Sequence, residues 1–148
     1  MKTLLLDMAM ALAISGSAGA GEWRLVSYDD TAAFAVETAH IPTREAVKTA
    51  WMALIYPERT HGLDVALMRH EWDCDARTST VVARVAYDEL GRVLDETNSR
   101  EPTRAVAPDT AEHHVLLAVC EDEFQIPDPD GWSDVLSLMR DYRIGRSS

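Results

Sequence analysis

The sequence predicts an α+β domain: an antiparallel β-sheet meander packed by a C-terminal helix, disulfide-linked, with an extra short amphipathic helix at the C-terminus. Three observations carry this. Alternating apolar and polar runs recur at short spacing between residues 23 and 98, the pattern of strands joined by tight loops. Two later segments repeat their apolar residues at helical spacing instead. The two cysteines, Cys74 and Cys120, fall one on a predicted strand and one on a predicted helix.

A chain of 148 residues allows one domain of ordinary size with a full core. Its formal net charge of −11 repels phosphate backbones, so nucleic acid is excluded as a general partner. Residues 1–20 read as a signal peptide: Lys2, then an apolar run over 4–14 interrupted by Asp7, then small residues ending in Ala18-Gly19-Ala20. That run is too short to span a membrane, which takes about 20 apolar residues. The expectation is an exported chain, periplasmic or extracellular, that begins at Gly21 after cleavage. In an oxidising compartment an even pair of cysteines is most simply a disulfide. Two free thiols are the better reading only if export is wrong.

Each element follows in order. Residues 23–28 form a first strand, stopped by Asp29-Asp30, and residues 32–36 a second. Residues 38–43, with Pro42, are a turn. Residues 46–56 are the longest apolar stretch, with apolar residues at both parities, as in a central strand buried on both faces. Residues 58–62 are a polar loop. Residues 65–74 alternate, placing Ala66, Met68, His70, Trp72 and Cys74 on one face and Arg69, Glu71 and Asp73 on the other. Residues 80–87 follow, with Val81, Ala83, Val85 and Tyr87 sharing a face, and Asp88-Glu89-Leu90-Gly91 turns the chain into a last, more polar strand over 92–98.

After a polar connection to Pro108, Asp109 is placed to cap a helix, with Glu112 as its reciprocal partner. His113, Leu116, Leu117 and Cys120 then share one helical face. A helix laid across the sheet on that face can join Cys120 to Cys74 without turning either side chain. Residues 121–131 are an acidic linker. Beyond it Trp132, Val135, Leu136, Met139 and Tyr142 recur at helical spacing, Arg140, Arg143 and Arg146 crowd the end, and Gly145 is the expected stop. This amphipathic helix needs a surface to cover. Docking on the open sheet face is one outcome, and binding of a partner through Trp132, Leu136, Met139 and Tyr142 is the other.

The order of these features resembles the surface-adhesin protein E family of exported bacterial domains. The resemblance rests on Glu22-Trp23-Arg24-Leu25-Val26, on residues 34–41, on the Trp51-bearing strand, on Glu71-Trp72-Asp73-Cys74, on residues 87–93, and on Val106-Ala107-Pro108-Asp109-Thr110 leading to Ala118-Val119-Cys120. It covers residues 21–120. It implies a small antiparallel sheet with a helix pinned by the disulfide, and attachment to host or cell-surface proteins. Glu37 stands where the family usually has Asp, Thr103 or its neighbours stand where a Trp is common, and residues 121–148 extend past the usual end.

Site chemistry points away from catalysis. Adjacent residues on a helix point about 100° apart, so His113 and His114 are poorly placed to chelate one ion. They still define the rival reading, a periplasmic metal- or haem-handling protein or hydrolase. His70, on an apolar strand face, reads as a core residue. Glu71 and Asp73 lie on a charged, solvated face, where neither gains the raised pKa that general acid catalysis needs. With no nucleophile elbow and no phosphate-binding glycine loop, the expectation is a non-enzyme without cofactors. Its partner would be a protein, and homodimerisation through the C-terminal helix is the structural alternative.

Overall fold

The structure, a computed structural model, describes residues 20–126 and 131–147. The expected signal peptide lies outside the described residues except for Ala20, and so do residues 127–130 of the acidic linker.

Among the described residues one antiparallel sheet is built from β1 (Ala20–Tyr28), β2 (Ala33–Glu37), β3 (Thr43–Arg44), β4 (Val47–Thr60), β5 (Leu63–Asp73), β6 (Thr78–Tyr87), β7 (Val93–Thr97), β8 (Arg104–Ala105) and β9 (Trp132–Asp134). Helix α1 (Ala111–Glu121) precedes β9, and helix α2 (Val135–Arg146) follows it directly. The strand order is β7-β6-β5-β4-β2-β1-β9, so the main strands run as the expected meander and the C-terminal segment returns to the far edge beside β1. The short β3 and β8 pair with the beginnings of β4 and β6.

Local chemistry explains the turns. Asp29 ends β1 because its carboxylate accepts from the N–H groups of Thr31 and Ala32, at 2.7 and 3.0 Å, closing an Asx turn. Asp73 does the same for Asp75 and Ala76 after β5. The β4–β5 hairpin closes on His61 and Gly62, both with positive φ, between the paired Thr60 and Leu63. A two-residue turn with both positions left-handed matches the twist of its strands.

Both faces of the sheet are covered. One carries Trp23, Ala35, Ala53, Ile55, Val65, Leu67 and Val85 against Val135, Leu138 and Met139 of α2. The other carries Val26, Val36, Ala50, Met52, Met68 and Trp72 against Val115, Leu116, Ala118 and Val119 of α1. Strand β4 contributes to both, as its unbroken apolar run predicts.

Several local expectations are corrected. Residues 58–60 are strand and not loop, because an irregularity between Ile55 and Thr60 lets β4 continue into the tight turn. Val81 does not share a face with Ala83: the register slips between Arg69 and His70, making Val82 an extra residue, and such a bulge flips every side chain beyond it. The cap of α1 is Thr110, whose hydroxyl accepts from the His113 N–H at 3.1 Å, while Asp109 has a left-handed backbone. Glu112 does not reach back to the cap; it accepts from the Ser79 hydroxyl at 2.5 Å. The buried stripe of α1 is Val115, Leu116, Ala118 and Val119, so His113, Leu117 and Cys120 lie along its flank. Trp132 belongs to β9, and Gly145 lies inside α2, which runs on to Arg146.

Candidate functional site

The covalent anchor comes first. Cys74 follows β5 and Cys120 lies in the last turn of α1, and they are disulfide-bonded with Cα atoms 5.6 Å apart. That separation lies within the range a bridge spans. Lys48 adds to the anchor by donating to the Val119 carbonyl at 3.2 Å, a cation at the negative end of the helix.

The two helix histidines are not brought together for one ligand. Their ring centroids lie 6.0 Å apart with the planes tilted by 37°. The Arg77 guanidinium approaches Nε2 of His113 at 3.0 Å and the Asp109 N–H faces its Nδ1 at 3.3 Å. A neutral imidazole has one unprotonated nitrogen, so the ring accepts from one of these donors at a time. His114 is half-buried. Among the described residues no group of three His, Cys, Asp or Glu side chains lies together as a metal site.

The carboxylates Glu71 and Asp73 are structural. Glu71 accepts two bonds from Arg100, at 3.0 and 2.7 Å, and these hold its pKa below the ordinary glutamate value. Asp73 caps its own turn. His70 is buried and stacked on Trp72, with centroids 4.7 Å apart.

The four candidate binding residues of the C-terminus lie together, against the sheet. Met139 is buried, and Trp132, Leu136 and Tyr142 are half-buried and pack on the same core. Trp132 donates to Asp141 at 2.8 Å and the Tyr142 hydroxyl donates to the Asp29 carbonyl at 3.4 Å. The apolar face of α2 thus covers the sheet face that α1 leaves open. No helix among the described residues is long and apolar enough to cross a membrane.

The family profile of surface-adhesin protein E matches residues 23–121. The chain belongs to the surface-adhesin protein E family. The match takes in β1 from Trp23 onward, β2 to β8, the disulfide and α1. It stops before β9 and α2, whose Val135, Leu138 and Met139 in this adhesin domain close the core on the second sheet face. No curated protein and no solved structure matches the chain. A family of surface adhesins is one of exported proteins that bind proteins.

One surface escaped the sequence reading. Strand β7 is exposed at all five positions, and Leu90, Val93 and Leu94 are large apolar side chains left in solvent beside Asp95 and Glu96. The alternation of this segment is weak, so it reads as merely polar. Its exposure comes from being the last strand of the sheet.

Proposed function

We propose that the protein is an exported, non-catalytic binding domain that attaches to host or cell-surface proteins after removal of residues 1–20. The family match over residues 23–121 carries this reading. The geometry supports it: both paired carboxylates are tied into ion pairs or turns, the His113 ring nitrogens face N–H donors, and both sheet faces are covered by helices. What remains outward is surface, which suits a protein that works by contact.

The test is retention of purified protein 21–148 on immobilised extracellular-matrix proteins and on intact cells. An unrelated protein of similar size and acidity is the control. Saturable retention above the control is expected, and retention equal to the control sinks the proposal. Mass measurement of the exported chain tests the processing: an N-terminus at Gly21 is expected, and an intact Met1 contradicts it.

A further inference from the structure

We propose that the β7 edge of the sheet takes an extended cationic segment of a protein partner, added as a further strand. This rests on the binding reading above and names where and what it binds.

The edge is open. Strand β7 ends the strand order and pairs on one side with β6, so the outer main-chain N–H and C=O groups between Asp95 and Thr97 have no strand beside them among the described residues. Such an edge is a template for another chain. It is also apolar where an edge is usually blunted: Leu90 is 70% exposed, Val93 55% and Leu94 47%. Leu94 is the extra residue of a bulge, which turns this apolar end outward beside the regular Asp95–Thr97 stretch.

The neighbouring surface adds a seat. A shallow hollow of about 230 Å³ lies beside the edge, lined by Leu54, Ala66, Met68, Ala86, Arg84 and Asp95 among others. Leu54, Ala66, Ala86 and Asp95 are cross-strand partners in one continuous row. A strand laid beyond β7 extends that row, setting its own side chain next to Asp95.

Charge selects the occupant. Arg84 and Arg92, the nearby cations, are already paired with Glu101 and Asp88. Neither Asp95 nor Glu96 has an ion-pair partner among the described residues. A second copy is disfavoured, because antiparallel self-pairing centred on Asp95 sets that carboxylate against its own counterpart. An incoming strand with two adjacent cations opposite Glu96 and Asp95, followed by apolar residues opposite Leu94 and Val93, meets the edge at every position.

The probe is a fluorescent peptide of sequence Thr-Lys-Lys-Val-Val-Thr, titrated into the full chain by anisotropy. One control replaces both lysines by glutamate, and another keeps the charge but replaces both valines by proline, so that a pairing N–H is lost whichever of the two faces β7. The lysine peptide is expected to bind and to slow amide exchange at residues 93–97. Each control is expected to bind about tenfold more weakly or worse. The double variant Asp95→Lys/Glu96→Lys should lose about tenfold as well, and Val93→Thr/Leu94→Thr should weaken binding without touching the charge. Equal binding of the proline peptide, unchanged affinity in the Asp95→Lys/Glu96→Lys chain, or no binding of the lysine peptide overturns the proposal. The parent reading is scored separately: matrix attachment that survives in the charge-reversed chain sinks the edge and leaves the adhesin reading standing. Peptide binding without matrix attachment does the reverse.

Discussion

Arg143 of α2 donates to Asp64 at 2.8 Å, and the Asp64 side chain is fully buried. The same carboxylate accepts from Arg59 at 2.9 Å and from the Glu89 N–H at 2.9 Å, so it ties together the two strands of the β4–β5 hairpin beside its turn, the β6–β7 turn and the C-terminal helix. Burial pushes its pKa up, but the bonds from Arg143 and Arg59 outweigh this and hold it below the ordinary aspartate value. A carboxyl depressed on folding contributes stability above its unfolded pKa and loses it as pH falls through the lower folded value. Asp64→Asn is therefore expected to cost about 3 kcal/mol at neutral pH, as when a buried ion pair loses one partner. Urea unfolding at pH 7 and near pH 3 checks this. The gap between variant and parent should narrow in acid, and an equal gap at both pH values contradicts it.

The disulfide makes a different prediction, because it acts on the unfolded chain. Cys74 and Cys120 are 46 residues apart, and closing a loop of that size is worth about 4 kcal/mol in the chain-entropy model. The Cys74→Ala/Cys120→Ala chain should unfold at correspondingly lower denaturant, and reducing agent should do the same to the parent while leaving the double variant unchanged. Thiol labelling is the direct check: two reactive thiols in unreduced exported protein contradict the bridge.

Much of this fold was legible because it is written in periods. The double apolar face of β4, the alternation of β5 from Ala66 to Trp72, and the pairing of Cys74 with Cys120 all survive in the structure. What sequence period cannot carry is register. The extra residue Val82 has no composition of its own; it exists because β6 pairs with a strand that is one residue shorter there. Trp132 fits a helical stripe equally well as part of the helix or one turn before it, and only its pairing with Trp23 makes it strand. The candidate surface on β7 was invisible for a related reason. Being an edge is a property of the strand order, and Leu90, Val93 and Leu94 stand out only once they are seen to be exposed among the described residues.

Glu37 carries a load its sequence does not announce. At the end of β2 it is 6% exposed, and its carboxylate accepts from the main-chain N–H groups of Glu22, Ala39 and His40 at 3.1, 2.8 and 3.3 Å. Glu37→Ala leaves these donors without an acceptor in a nearly closed space and is expected to cost about 2 kcal/mol. Glu37→Gln keeps an acceptor oxygen and should cost less. Gly21→Ala should disturb the same spot, since a Cβ there would lie 2.6 Å from Oε1 of Glu37. Equal stability of the alanine and glutamine variants at position 37 would show that the carboxylate is not what closes this turn.

His70 supplies the pH dependence. The ring is 2% exposed, and its two nitrogens have no hydrogen-bond partner among the described residues. Burial disfavours the charged ring and lowers its pKa from 6.5 to about 4; Glu112 and Glu101 pull it back up, and Arg84 and Arg104 push it further down. Between those two values the unfolded chain binds a proton that the folded chain refuses. Stability is therefore full above pH 6.5 and falls as pH drops toward 4. At pH 5 the expected loss from this one group is about 2 kcal/mol. The depressed carboxylates act lower, below the ordinary aspartate range, so the window from pH 7 to 5 is the one in which a His70 variant reads this ring. His70→Phe keeps an aromatic ring to stack on Trp72 but cannot titrate, and its urea midpoint should stay nearly level across that window while the parent's falls. A parent curve that is flat from pH 7 to 5, or a phenylalanine variant with the same slope, would place the acid sensitivity elsewhere.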